Sequence, residues 1–279
     1  MNNIQNTVSR AAQSGDHEAA EAPELGPGTT VVVGAARGIG AAVARHLAAA
    51  PWTERIVLAD IDAATVSELA DELQADGLSA EAQAIDITDQ EQVSQLLSLT
   101  PETRRLALVS GVFEPAPALE VSEESFRRLV EVNLFGTFFL AQRYARAMAA
   151  SGGGAIVGVA SIAARMPRVR QVAYCASKAG MRQALRVLGV EVAAHGVRVN
   201  TVSPGATDTP MMRSLVGDHP DVSGNLAMGS LEAMRPRIPA GRVATPDDVA
   251  EAVAYLLSPS ARHVLLQDIV IDGGELMGM

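Results

Sequence analysis

The sequence predicts a single-domain α/β fold: a doubly wound, Rossmann-type sheet of seven parallel strands with helices on both faces. Three observations carry that expectation. Short aliphatic or β-branched runs alternate with helical patterns along the chain, and alternation of that kind closes into a parallel sheet through right-handed crossovers. A glycine run, Gly34-x-x-x-Gly38-x-Gly40, directly follows the first apolar run. The 279 residues, 48% of them hydrophobic, suffice for one large core.

Residues 1–27 are polar and acidic, carrying Asp16, Glu18, Glu21, Pro23, Glu24 and Pro27 without apolar periodicity, which predicts a flexible extension. The domain is therefore placed at 28–279. Strands are expected at 29–33, 55–59, 80–84, 106–109, 155–159, 197–202 and 267–271. Helices are expected at 38–50, 63–76, 89–98, 122–150, 173–195 and 246–257, with Ser122 and Thr245 as N-caps. The stretch 209–239 contains three glycines and the methionines Met211, Met212, Met228 and Met234. It is too irregular for a core element and too apolar for a linker, so it is read as a mobile lid over a pocket.

Twenty-two basic against 32 acidic residues give a net charge of −10, which offers neither nucleic acid nor an anionic membrane a broad basic surface. The single cysteine, Cys175, excludes an intramolecular disulfide and suits a reducing cytoplasm. The first residues lack the apolar core of a signal peptide, and no run of about 18 apolar residues predicts a membrane span. Five scattered histidines lack ligand spacing, so no metal is expected.

At the first strand-to-helix turn, Gly34 permits a tight bend, while Gly38 and Gly40 let backbone and helix N-terminus approach a pyrophosphate. Twenty residues beyond Gly40, a second apolar run ends in Asp60, placed to accept from a ribose diol and to repel a 2′-phosphate. NAD is expected over NADP. Arg37 pulls the other way, since a guanidinium pairs with a 2′-phosphate. Asp86, closing the third strand, is read equally as an adenine contact and as a helix cap.

Tyr174 and Lys178 stand four residues apart, on one helix face, thirteen residues beyond Ser161. An ammonium beside the phenol would depress its pKa and make it a usable base, the chemistry of a hydride-transfer enzyme. Taken singly, Ser161 reads better as a turn cap and Asn133 as a backbone brace; only their joint spacing with Tyr174 and Lys178 favours the functional reading.

Together the glycine run, Asn133, Ser161, Tyr174-x-x-x-Lys178 and Pro204-Gly205 resemble a short-chain dehydrogenase/reductase over residues 29–279. The resemblance implies Tyr174 as general base, Ser161 holding the reacting oxygen, Lys178 on the nicotinamide ribose and Asn133 steadying a water relay. It adds Ile39, Ile61, Ile87, Gly111, Thr207 and Thr209 to the cofactor contacts, with Pro204, and implies a homo-oligomer, tetramer or dimer. The apolar C-terminal run from Leu265 to Met279 also suggests burial against another subunit. One departure stands out: Leu108-Val109-Ser110-Gly111 replaces the family's Asn-Asn-Ala-Gly. Gly111 keeps the approach to cofactor, but local hydrogen bonding must be rebuilt.

The segments 153–161, 166–168, 203–211 and 263–274 are similar to the 2,3-dihydro-2,3-dihydroxybenzoate dehydrogenase branch. That resemblance implies NAD-dependent oxidation of a ring hydroxyl on a cyclohexadiene carboxylate, followed by aromatisation. A small anionic substrate calls for a cation. Arg168 is the best-placed candidate and Arg165 the second, each weighed against a solvated surface arginine. Met211 and Met212 would wall the ring. Gln171, where the branch commonly has methionine, suggests trans-2,3-dihydro-3-hydroxyanthranilate as an alternative substrate. A general ketone or acyl-carrier reductase and a catalytically silent NAD-binding scaffold are the other readings.

Overall fold

The computed structural model describes residues 25–216 and 222–278. Seven strands form one sheet: β1 (Gly28–Val33), β2 (Thr53–Asp60), β3 (Ser79–Ala84), β4 (Thr103–Leu108), β5 (Gly154–Val159), β6 (Val197–Pro204) and β7 (Asp268–Ile271). All pairings are parallel, in the order β3-β2-β1-β4-β5-β6-β7. The order reverses at β1, so the crevice between the carboxyl ends of β1 and β4 is where a doubly wound sheet places its ligand.

The longer helices are α1 (Gly38–Ala48), α2 (Ala63–Ala75), α3 (Gln90–Leu99), α4 (Glu123–Val130), α5 (Thr137–Ala150) and α6 (Val172–Val192). Two short helices, α7 (Pro210–Val216) and α8 (Val222–Ala227), precede α9 (Pro246–Leu257). Side chains of β1 alternate between two cores, as the period of two in a strand requires. Val32 packs with Val43, Leu47, Val253 and Leu257 from α1 and α9. Val31 and Val33 pack with Leu140, Tyr144, Met181 and Leu185 from α5 and α6. Each fully buried Val, Leu or Met contributes roughly 1.5–3 kcal/mol, so both faces of the sheet are held firmly beneath the crevice.

Three expectations are corrected. The fold starts before residue 28: Leu25 packs against the first core, and the Leu25 and Gly26 carbonyls accept from the buried Arg105 guanidinium at 2.9 and 3.1 Å. The remainder of the expected extension, residues 1–24, lies outside the described residues. The helix expected at 122–150 is interrupted by a π-helical turn, Glu131–Gly136, between α4 and α5. There the buried Asn133 bonds both backbone groups of Val112, and a Cβ on Gly136 would come within 2.9 Å of Ile87 Cγ1. These close contacts fix the extra-wide turn.

The lid segment is more regular than its composition suggests. It contributes α7 and α8, and its Ala227 and Ile238 form a small core with Ala206 and Val243, against which Met212 and Leu226 pack. Residues 217–221 of the expected lid lie outside the described residues. The predicted caps are present: Ser122 accepts from Ser125 N–H, and Thr245 forms a reciprocal capping box with Asp248.

Candidate active site

The crevice holds a cavity of about 1170 Å³. At its floor the chain turns from β1 into α1 in a bend that only glycine fits. Gly34 has φ +86°, and a Cβ there would run into Ser110 N, while one on Gly40 would run into Gly34 O. The Val33 carbonyl accepts from Val109 N–H at 2.8 Å and Ser110 N–H at 3.1 Å. Backbone thus rebuilds the bracing expected from the absent asparagines.

Asp60 closes β2 beside this turn. Its carboxylate accepts from Ala36 N–H at 2.9 Å and Asp62 N–H at 3.0 Å, tying the glycine turn to the second strand. Arg37 pairs with Asp62, not with Asp60. Asp86 accepts from Thr88 N–H and Oγ1 at 2.9 and 2.7 Å, whereas Asp89 caps α3. Of the two readings of Asp86, the helix cap is therefore ruled out. Ile39, Ile61, Ile87, Gly111, Pro204, Thr207 and Thr209 line the same cavity. A narrow glycine turn at a helix start, with a carboxylate twenty residues on, fits a dinucleotide.

Ser161 stands at the end of β5, its hydroxyl accepting from Ala163 N–H at 3.1 Å. Tyr174 and Lys178 come from the first turns of α6. Loss of water pushes the Tyr174 phenol up to about 12, a hydrogen bond with Ser161 drawing it partly back. Burial likewise pulls Lys178 down to about 8. The Lys178 ammonium lies 6.0 Å from the centre of the Tyr174 ring and donates to the Val159 carbonyl at 2.9 Å. The expected depression of the phenol by Lys178 is thus corrected: desolvation dominates, and the ammonium addresses the ring face and a carbonyl instead.

Of the four expected catalytic residues, Asn133 alone does not line the cavity. It sits fully buried behind the wall, donating to Val112 O at 2.9 Å and Ser177 Oγ at 3.1 Å. Gly111 lies between, since a Cβ there would stand 3.2 Å from Lys178 Nζ and 3.3 Å from Asn133 Oδ1.

Arg168, Gln171, Met211 and Met212 line the cavity with Ser161 and Tyr174. The reading of Arg168 as a solvated surface arginine does not survive: its side chain is 10% exposed and paired with the fully buried Glu275. Arg165 is corrected outright, because it does not line the cavity and pairs with the buried Asp268 at 2.7 Å. Two residues were not foreseen. Phe113 stacks edge-on against Tyr174 at 4.8 Å; a single aromatic in a loop gives no periodic signal. Arg235 enters from the lid to share Glu275; its only sequence trace is the R-P-R triplet at 235–237.

A family model described as enoyl-(acyl carrier protein) reductase matches residues 34–275. The chain belongs to the short-chain dehydrogenase/reductase family. As a member, it is an oxidoreductase of a family that acts on alcohols with nicotinamide cofactors. The 2,3-dihydro-2,3-dihydroxybenzoate dehydrogenase of Bacillus subtilis (strain 168) is 33% identical, covering 89% of this chain and 95% of that protein. Its namesake in Escherichia coli (strain K12) is 40% identical over 70% of this chain and 80% of its own length. D-threitol dehydrogenase of Mycolicibacterium smegmatis (strain ATCC 700084 / mc(2)155) is 37% identical, covering 88% and 91%. Among solved structures, a 7α-hydroxysteroid dehydrogenase complexed with NADH is 29% identical at TM-score 0.80, covering 90% and 95%. One described as an NAD(P)-dependent gluconate 5-dehydrogenase, from Beutenbergia cavernae and with NADP at low occupancy, is 33% identical at TM-score 0.81, covering 91% and 100%. Similarity therefore spans several alcohols and both cofactors. No helix among the described residues is long and apolar enough to cross a membrane, and none of their side chains form a metal-binding cluster.

Proposed function

We propose that this protein is an NAD-dependent dehydrogenase that oxidises the C3 hydroxyl of a cyclohexadiene carboxylate, foremost 2,3-dihydro-2,3-dihydroxybenzoate. The observation that carries the reading is one cavity lined by Ser161, Tyr174, Lys178 and Arg168 together with the glycine turn and Asp60. Bound NAD supplies the oxidant. The chain supplies everything that positions and deprotonates the alcohol. Ser161 Oγ orients the reacting hydroxyl, and Tyr174 Oη takes its proton. Lys178 Nζ, held beside Gly111 by the Val159 carbonyl, orders the ribose end of the cleft. Asn133, out of reach of the cavity, holds Val112 and hence the wall carrying Gly111.

NAD is favoured over NADP because a 2′-phosphate would meet the Asp60 carboxylate, while Arg37 is already engaged by Asp62. Oxidation at C3 leaves a ring ketone, and transfer of the C2 proton to its oxygen by tautomerisation gives an aromatic acid, which drives the reaction forward. Gln171 on the same wall keeps the amino analogue, trans-2,3-dihydro-3-hydroxyanthranilate, as the second reading. The reading places the enzyme in the cytoplasm as a homo-oligomer, in siderophore or other secondary-metabolite synthesis, without nucleic-acid or membrane partners.

The test is absorbance at 340 nm with each purified diene at pH 8, using NAD and NADP in turn. Turnover of the dihydroxy acid with NAD is expected. Tyr174→Phe should lower kcat/KM by ~10²- to 10⁴-fold while NAD binding stays near normal. Inactivity of the parent enzyme on both dienes would remove the branch assignment, and a preference for NADP would remove the role given to Asp60.

A further inference from the structure

In the lining of the cavity that holds Tyr174, two cations share one anion. Glu275, fully buried in the segment after β7, accepts through Oε1 from Arg168 Nη2 at 2.8 Å and from Arg235 Nε at 3.0 Å. Arg168 belongs to the loop between β5 and α6. Arg235 belongs to the lid, where Ser230 and Arg235 bond each other's backbone at 2.9 and 2.7 Å. The tail itself is fixed by Asp272, which accepts from Gly274 N–H and Leu276 N–H. Both guanidinium groups are therefore held by elements independent of any ligand.

The cluster is incomplete. Arg168 Nη1 and Arg235 Nη2 are buried and make no hydrogen bond, although each residue lines the cavity that holds Ser161 and Tyr174. Two guanidinium charges against one carboxylate leave a net charge of +1. A buried charged donor without a partner is among the costlier defects a fold can carry. Glu275 Oε2 is also without a partner, and a Cβ on Gly205 would lie 3.4 Å from it, so that oxygen is packed towards the β6 end.

We infer that Arg235, with Arg168, forms a two-arginine clamp for the carboxylate of a ring acid, and that Glu275 is the positioning residue that aims both. This rests on the cavity being the substrate site. A planar carboxylate offers two oxygens, one for each orphaned guanidinium N–H, and charge-assisted pairing of this kind is directional. An anion there would complete the cluster and tie the lid to the body of the enzyme. Arg235 is thus a specificity-determining residue that selects acids over neutral ring alcohols.

The test uses benzoate and its neutral analogue benzamide, titrated calorimetrically into the full chain with NAD present. Benzoate should bind at least ~10-fold tighter than benzamide, and Arg235→Gln should lose ~10- to 100-fold of the benzoate affinity with little change for benzamide. Arg235→Gln leaves Glu275 balanced by Arg168 alone, and Arg235→Lys is measured beside it. That variant keeps the charge without the second N–H arm, should hold the parent melting temperature, and should recover only part of the benzoate affinity. Equal binding of benzoate and benzamide, or benzoate affinity insensitive to both variants, overturns the clamp. Turnover of the diene acid with Arg235-insensitive benzoate binding overturns the clamp alone. Arg235-dependent benzoate binding without diene turnover supports the clamp and overturns only the choice of diene.

Discussion

The chemistry at Tyr174 and Lys178 is set against the stability of the fold. Both groups are desolvated, and desolvation opposes the charged form of each, so the phenol rises to about 12 and the ammonium falls to about 8. For Lys178 the sign follows from proton counts. Between about 8 and the ordinary 10.5 the unfolded chain binds more protons than the folded one, so this group's contribution to stability grows as pH rises through that window. Below it, the folded protein holds a buried cation whose one hydrogen bond goes to the Val159 carbonyl. Lys178→Met is therefore expected to melt at or above the parent temperature at pH 7. The difference should shrink towards pH 10, and activity should be lost throughout. Melting curves at pH 7, 8.5 and 10 check it. A variant markedly less stable than the parent at pH 7 would show that the carbonyl bond outweighs desolvation. The spacing of Tyr174 and Lys178 was readable in the sequence because a helix fixes it. The direction of the shift was not, because it depends on the water excluded by chain segments far apart, including Gly111 and Phe113.

Elements were legible wherever a local signal matched the final environment. α9 is the clearest case. Thr245, Pro246 and the acidic first turn announce its start, and Asp248 answers with bonds to Thr245 N–H at 2.6 Å and to Arg242. The bonds from Arg242, then that from Thr245 N–H, hold the Asp248 carboxyl well below its ordinary 3.8. A depressed carboxylate stabilises the fold above its unfolded value and ceases to do so as pH falls through the folded one. Asp248→Asn should therefore cost about 1 kcal/mol at pH 7, with the gap from the parent closing below pH 4. Urea titrations at pH 7, 5 and 3 would show it, and a gap independent of pH would assign the effect to packing. β4 illustrates the opposite case. The aliphatic pattern placed its start at Leu106, yet it begins at Thr103 and buries Arg105 completely. That guanidinium stacks 4.3 Å above Trp52 and donates to carbonyls of residues 25, 26, 52 and 257. A charge in a strand reads as a surface residue until distant carbonyls are seen to surround it. The π turn has no local signal for a related reason: Asn133 accepts from Val112 N–H and donates to Val112 O, twenty-one residues away.

At the scale of the whole molecule, the apolar C-terminal run no longer argues for a partner by itself. Leu276 is buried within its own chain and Glu275 is consumed by the arginine pair, leaving Met277 exposed. Apolar surface is concentrated elsewhere. Phe135 and Phe139 are 44% and 42% exposed, with ring centres 6.5 Å apart on the π turn and α5, and α6 adds Val187 and Val190 at 48% and 63%. Helices α5 and α6 pack on the same core, so these side chains stand on the outer layer of one face of the sheet, away from Thr245 and α9. Contiguous aromatic surface of this kind is uncommon on a monomer and favours a symmetric contact with a second copy. β7 supplies a further edge, since among the described residues it pairs only with β6. Sedimentation velocity is expected to give a species heavier than the 29.0 kDa chain. Phe139→Glu, which puts a charge in the middle of the aromatic patch, should shift the distribution towards the monomer, with far-ultraviolet circular dichroism confirming that the fold persists. A parent protein that sediments as a 29.0 kDa monomer at micromolar concentration would remove self-association altogether. An oligomer indifferent to Phe139→Glu would move the contact to β7.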